Sequence, residues 1–137
     1  MLEAYSKGVS IAAGAALTFS NNVLFNRCTA IVLSGAGTVA ITKPGLYEVV
    51  LDGVVLADTA GDIEIQMIRN GVALPQGSIA ITGATTATGI PLSVRTFVEG
   101  PEGCCRKNST PVAIQWENAG EAFTGDVHVT VNRVQVQ

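Results

Sequence analysis

The chain has 137 residues, 47% of them apolar but only 14% charged, with eight basic and eleven acidic side chains giving a net charge of −3. That length suits one domain, residues 1–137, whose single core buries about two-thirds of the unfolded chain's surface. The charges are scattered singly, so no basic stripe matches a row of phosphates and nucleic acid does not fit as a partner; the run between Arg69 and Arg95 has no ionisable group but is too rich in Thr, Ser, Gly and Pro to insert into a membrane.

Residues 1–20 mix small apolar residues with Ser and Gly, and the sequence predicts one or two short strands there, near Tyr5 and Ile11. Val9 to Phe19 has the length of a signal-peptide core, but Glu3 precedes it and Lys7 is the only basic residue ahead of it, so the segment does not read as a secretion signal. Leu24–Phe25, Ala30–Leu33 and Thr38–Thr42 are predicted strand pieces, with Ser34-Gly35-Ala36-Gly37 as the turn between the last two. Gly35 and Gly37 are two glycines of a dinucleotide fingerprint. The third is missing and no helix follows, so this is not a phosphate loop.

The clearest pattern lies between residues 39 and 74. Pro44-Gly45 stops one strand, because proline fixes φ and lacks a donor while glycine accepts positive φ. Tyr47, Val49, Leu51 and Val55 then recur on odd positions while Glu48 and Asp52 fall on even ones, the period of two of a strand with one buried face. Asp62 to Met67 alternates again and ends in Asn70-Gly71, the pair that most readily takes both positive φ angles of a type I′ hairpin. Ser78–Thr82 and Ile90–Val98 follow as strands, the second alternating Ile90, Leu92 and Val94 with Ser93 and Arg95. Residues 99–110, with several glycines and a proline, form the longest loop of the second half. Val112–Trp116 is a strand and Asn118-Ala119-Gly120 a turn. In the last strand Val127, Val129 and Val131 are in phase, whereas Val134 and Val136 have changed parity, which predicts a bulge near Asn132. Eight to ten short strands without a helical period make an all-β, two-sheet antiparallel sandwich or jelly roll.

Three marks in that order carry a resemblance: Gly45-Leu46-Tyr47 after a proline, Asn70-Gly71 after a strand ending in a basic residue, and Phe123-Thr124-Gly125 leading the last strand. Over about residues 20–137 the chain resembles the tumour necrosis factor-like superfamily, which includes complement-type globular heads, heads of spore-surface collagen-like proteins and small phage virion proteins. Val49 and Val50 stand where an aromatic is usual, and Glu99-Gly100-Pro101 where a Gly-Asp turn is common. The small-residue-rich sequence and the vicinal Cys104-Cys105 pair are most similar to standalone phage and prophage proteins of Gram-positive hosts, a domain starting at Met1 with no collagen repeat before it. The resemblance implies a homotrimeric jelly roll, with one sheet of each subunit around a three-fold axis, working in attachment or display without catalysis. It further implies a virion location, with other virion proteins and a host-surface polysaccharide or protein as partners; a spore- or cell-surface head for trimerisation and adhesion is the alternative.

No residue set demands a cofactor. His128 is the only histidine, and no Ser, Cys or carboxylate is placed beside it by sequence, so a small enzyme using His128 is the least favoured reading. Cys28, Cys104 and Cys105 are an odd number, too few for a disulfide framework, and point to a reducing compartment. Adjacent cysteines lack the two-residue gap that lets two thiolates reach one zinc ion, so Cys104 and Cys105 read as a free or mutually bonded loop pair. Asp58, Asp62 and Glu64 could gather around calcium where two strands meet, but solvated turn carboxylates are the simpler reading. Asn108-Ser109-Thr110 has the form of a glycosylation sequon without a secretory context. Trp116, Phe97 and Tyr47 are read as core residues.

Parity and the implied topology also predict the subunit contact. With Tyr47, Val49 and Leu51 inward, Glu48 and Asp52 face outward, as do Arg95, His128, Thr130 and Arg133. With the strand 46–56 lying between the strands of Arg95 and Arg133, Glu48 or Asp52 should meet Arg95 on one side and Arg133 on the other, in an interface between copies of the chain.

Overall fold

The period of two written into residues 45–57 sets the architecture, since one face of that strand must find apolar cover. The computed structural model describes residues 1–22, 30–59, 61–82, 86–99 and 111–136, and of Asn21, Asn22 and Val136 the backbone only. Among them are ten strands and no helix: β1 (Leu2–Ile11), β2 (Asn21–Asn22), β3 (Ile31–Ser34), β4 (Thr38–Ile41), β5 (Gly45–Ala57), β6 (Ile63–Arg69), β7 (Val72–Ile81), β8 (Thr88–Val98), β9 (Val112–Asn118) and β10 (Phe123–Val136). They form two antiparallel five-stranded sheets, sheet I in the order β2-β1-β10-β5-β8 and sheet II in the order β3-β4-β9-β6-β7. Cys28, Cys104, Cys105, the sequon, the strand piece Leu24–Phe25 and the loop beyond Glu99 lie outside the described residues.

The core lies between the sheets. Sheet I contributes Leu2, Tyr47, Val49, Leu51, Leu92, Val94, Val127, Val129 and Val131; sheet II contributes Val39, Ile41, Ile63, Ile65, Met67, Ile114 and Trp116. Leu17 and Phe19 cross between the sheets, with the Phe19 ring edge-on to Trp116 at 5.6 Å between centroids. Such edge-to-face pairs stabilise beyond the area they bury. Asn118, fully buried, secures this crossing: its amide donates to the carbonyls of Ile11, Ala12 and Glu121 at 3.0–3.2 Å, and its Oδ1 accepts from Gly120 N at 3.0 Å. All its donors and acceptors are used, which offsets the cost of burying an amide.

The Asn70-Gly71 hairpin forms as its chemistry requires, with φ of +49° and +80° and Arg69 paired with Val72. Asn70 also exchanges hydrogen bonds with Ala113, through its own N–H and its side-chain oxygen. Several boundaries differ from the sequence expectation. Residues 2–11 are one continuous strand, interrupted by a bulge between Ser6 and Val9 in which Gly8 takes φ +61°. β7 starts at Val72, directly after the hairpin, and tolerates Pro75 because it is an edge strand. Gln66 reaches across its bulge and donates to Leu74 O at 2.7 Å. In β10 the bulge expected near Asn132 is present, as a register shift between Arg133 and Gln135.

At the centre of sheet I, β5 and β10 approach closely at two glycines. A Cβ on Gly53 would lie 2.1 Å from the Asp126 carbonyl oxygen, and one on Gly125 would lie 2.2 Å from the Val54 carbonyl oxygen. Backbone cannot retreat cheaply in the middle of a ladder. Gly53→Ala should therefore lower folding stability by about 1–3 kcal/mol, read as a lower urea midpoint at unchanged slope. An unchanged midpoint would contradict the close approach.

Candidate functional site: the outward face of sheet I

Alternation places the even residues of β5 and β10, the odd residues of β8 and the odd residues of β1 ahead of its bulge on the face turned away from the core. The register then arranges them in rows across the sheet. Leu46 lies beside Phe97, and Glu48 between Asn132 and Arg95; Val50 lies between Thr130 and Ser93, with Glu3 next to Thr130. Asp52 lies between His128 and Pro91, with Tyr5 next to His128; Val54 lies between Asp126 and Gly89; Leu56 lies beside Thr124. The two ends of the face are apolar and its centre is charged.

Both apolar ends are open. Phe97 is 47% exposed, Val54 51% and Leu56 41%, and Leu46 and Val50 on the same face are half-buried. This corrects the expectation that Phe97 fills the core, since Phe97 follows the parity of Ser93 and Arg95 and the inward position is taken by Thr96. The exposed large apolar residues of sheet II, Val32 and Val72, lie singly on its two edge strands. Several exposed apolar side chains gathered on one face point to a contact surface more than side chains standing singly do.

The charged centre is built from pairs. Arg95 and Glu48 are directly opposed in register, and Arg95 Nε donates to Glu48 Oε2 at 3.4 Å. His128 is held on both sides, with Nδ1 3.0 Å from Asp52 Oδ1 and Nε2 2.8 Å from Glu3 Oε1. Three strands, β1, β10 and β5, thus meet in one side-chain bridge. Its geometry does not suit a nucleophile–base pair, because both ring nitrogens face carboxylates and neither is turned toward a hydroxyl or thiol. A neutral imidazole donates one hydrogen bond and the protonated ring donates two, so only the imidazolium satisfies both carboxylates. Burial of the ring, the largest single influence, pushes its pKa down, but the hydrogen bonds to Glu3 and Asp52 and their charges together outweigh it and raise the pKa above the ordinary 6.5.

The expected contact residues divide. Glu48, Asp52, Arg95, His128 and Thr130 share the outward face, as parity required. Arg133 does not. It keeps the inward parity of Val127, Val129 and Val131, opposes Tyr47 rather than Glu48, and holds its guanidinium 6.0 Å from the Tyr47 ring centroid while Nη2 donates to Pro44 O. The bulge lies after Arg133, so the change of face comes too late to bring it outward. Beneath it Tyr47 donates its hydroxyl to Lys43 O at 2.7 Å, and burial raises its pKa despite the opposing Arg133 charge. Glu3, which belongs to the bridge, went unseen by sequence reading because its strand shows no long alternation.

Among the described residues no three His, Cys, Asp or Glu side chains are grouped to hold a metal ion. Asp58 instead accepts from the Thr124 hydroxyl at 2.9 Å, and Asp62 and Glu64 lie at the start of β6, where their backbones bond residues 119 and 121.

No family model matches the sequence, and no curated protein matches it. Solved structures with the same architecture include a globular domain of zebrafish complement 1qA protein (TM-score 0.57, 10% identity, 96% of each chain covered). Another is the Eiger TNF of S. frugiperda (TM-score 0.60, 12% identity, 99% of this chain and 94% of that one). The chain has the TNF-like, complement-type jelly-roll fold. A third structure with this jelly roll is the PRD1 vertex protein P5 (TM-score 0.56, 18% identity, 93% of each chain). In this jelly-roll head the three sequence marks occupy structural positions, with Gly45-Leu46-Tyr47 opening β5, Asn70-Gly71 turning β6 into β7, and Phe123-Thr124-Gly125 opening β10.

The bridge gives the head a pH-dependent stability with a definite sign. A group whose folded pKa is raised contributes fully below its unfolded value, here 6.5, and loses that contribution as pH rises through the folded value. The gap in urea midpoint between the wild type and His128→Gln should thus be widest near about pH 6 and close toward about pH 9. A gap that stays constant with pH would mean that the ring bridges in its neutral form.

Proposed function

We propose that this chain is a non-enzymatic structural protein of a phage virion, a homotrimeric jelly-roll head in which the outward faces of sheet I meet around a three-fold axis. The observation that carries the reading is the fold shared over 93% of each chain with the PRD1 vertex protein P5, by its name a vertex protein. The trimer implied by the family resemblance supplies cover for Phe97, Val54 and Leu56, which a lone subunit leaves in water. The His128 bridge, closed on both sides by carboxylates, supports an adhesive rather than a chemical role. The partners are two further copies, neighbouring virion proteins and, in attachment, a host-surface polysaccharide or protein.

The charged centre of the face fits this reading. An exposed cross-strand ion pair is worth about 0.2–1 kcal/mol, but once covered, the loss of one partner costs about 3–5 kcal/mol. Glu48 and Arg95 are already paired within one subunit, so the face can be covered without stranding either charge.

Two experiments test the proposal. Immunogold labelling of virions that carry the gene should place the protein on particles, and its absence from purified particles would rule out the virion role. By light scattering at about micromolar concentration the wild type should be a trimer and Arg95→Ala should shift toward monomer. Combining Arg95→Ala with Glu48→Gln should cost less than the sum of the two. Strict additivity would remove the pair from the interface, and a monodisperse wild-type monomer would remove the trimer.

A further inference from the structure

The outward face of sheet I is not electrically balanced. Along β1, β5, β8 and β10 its outward positions carry the carboxylates Glu3, Glu48, Asp52 and Asp126 against the permanent cations Lys7 and Arg95, with Tyr5 also beside His128. β2, next to β1, brings only Asn21 and Asn22, neither of them titratable. Glu48 is answered by Arg95, and Asp126 accepts from the backbone N–H of Gly8 at 2.8 Å. Glu3 and Asp52 are answered by His128 alone among the side-chain contacts of the bridge. Copies of such a face brought together add their excess negative charge, and the second proton on the His128 ring is one that changes the sum near neutral pH, at the centre of the face.

We propose that the Glu3–His128–Asp52 bridge is a proton-operated lock on self-association, holding copies of this chain together while the ring carries both its protons and releasing them when one is lost. The proposal rests on the reading that the outward face of sheet I is the contact between copies. The chemistry is a count of donors. When the doubly protonated ring gives one proton to bulk water, one carboxylate is left facing an imidazole lone pair at 2.8 or 3.0 Å instead of an N–H. In a lone subunit water reaches both carboxylates, which are partly exposed, and replaces the lost bond. Under a second copy water is excluded, and an unpaired carboxylate is costly to keep. Protonation is therefore worth more in the assembly than in the subunit, and by linkage assembly must take up protons.

The test follows the association of the intact chain by sedimentation between about pH 6 and pH 9, for the wild type and for His128→Gln. The association constant should fall with rising pH by about tenfold per subunit for each pKa unit by which assembly raises the ring, which for a trimer raises the concentration at half-assembly by about thirtyfold, and His128→Gln should flatten the dependence. Because His128 is the only histidine, its imidazole resonance is assigned without ambiguity. Its titration in the wild type should move to higher pH as concentration is raised through the assembly range, a readout that needs no variant to fold. An assembly whose strength is the same across this range, or a ring that titrates alike at low and high concentration within an assembling sample, overturns the lock while leaving the subunit contact standing. A monomer at every pH overturns the contact and the lock together.

Discussion

The antiparallel pairing of β5 with β10, from Ala57 opposite Phe123 to Gly45 opposite Val136, is the constraint on which the rest of the structure depends. It is the central pair of sheet I, and the side-chain period of two allows only one assignment of faces: Tyr47, Val49 and Leu51 with Val127, Val129 and Val131 toward the core. A slip of one residue would exchange those side chains for Glu48, Asp52, His128 and Thr130. The same register sets Asp52 opposite His128 and brings Gly53 and Gly125 close to the opposing backbone. Core, close approach and charged bridge are thus consequences of one ladder.

Much of this was legible in the sequence because it depends on local rules. Alternation identified the buried faces of β5, β6, β8 and β10, and Asn70-Gly71 identified its hairpin, since two positive φ angles are demanded within two residues. The resemblance carried by three short marks extended those local rules to the jelly roll and to the place of β5 between β8 and β10. What was not legible depends on contacts between segments far apart in the chain. The bridge joins Glu3 to Asp52 through His128, and no turn fixes the register between those strands. Arg133 was assigned to the wrong face because a parity change reveals that a bulge exists but locates it only to within a residue or two. Phe97 was assigned to the core on its side chain, although its parity with Arg95 placed it outside. In that case pattern was the better guide than hydrophobicity.

The composition acquires a physical meaning from the same face. A chain with only 14% charged residues has little charge to distribute, and on sheet I it collects in the middle of the sheet, within hydrogen-bond reach of partners, leaving Leu46 and Phe97 at one end and Val54 and Leu56 at the other. Apolar area supplies a driving force for contact, and paired charges keep its centre from opposing burial while fixing which register of contact is acceptable. Sheet II has no comparable surface among its described residues, and the proposed contact accordingly covers sheet I and leaves sheet II exposed.

The proposed contact can be tested directly by hydroxyl-radical footprinting with mass spectrometry at concentrations above and below assembly. Phe97 and Leu56 on sheet I are compared with Val72 and Val32 on sheet II, all of them exposed in the isolated subunit. Strong protection of Phe97 and Leu56, lost on dilution, beside undiminished labelling of Val72 and Val32 is the expected result. Labelling of Phe97 and Leu56 as heavy as in the dilute chain would show that the outward face of sheet I is not where the subunits meet.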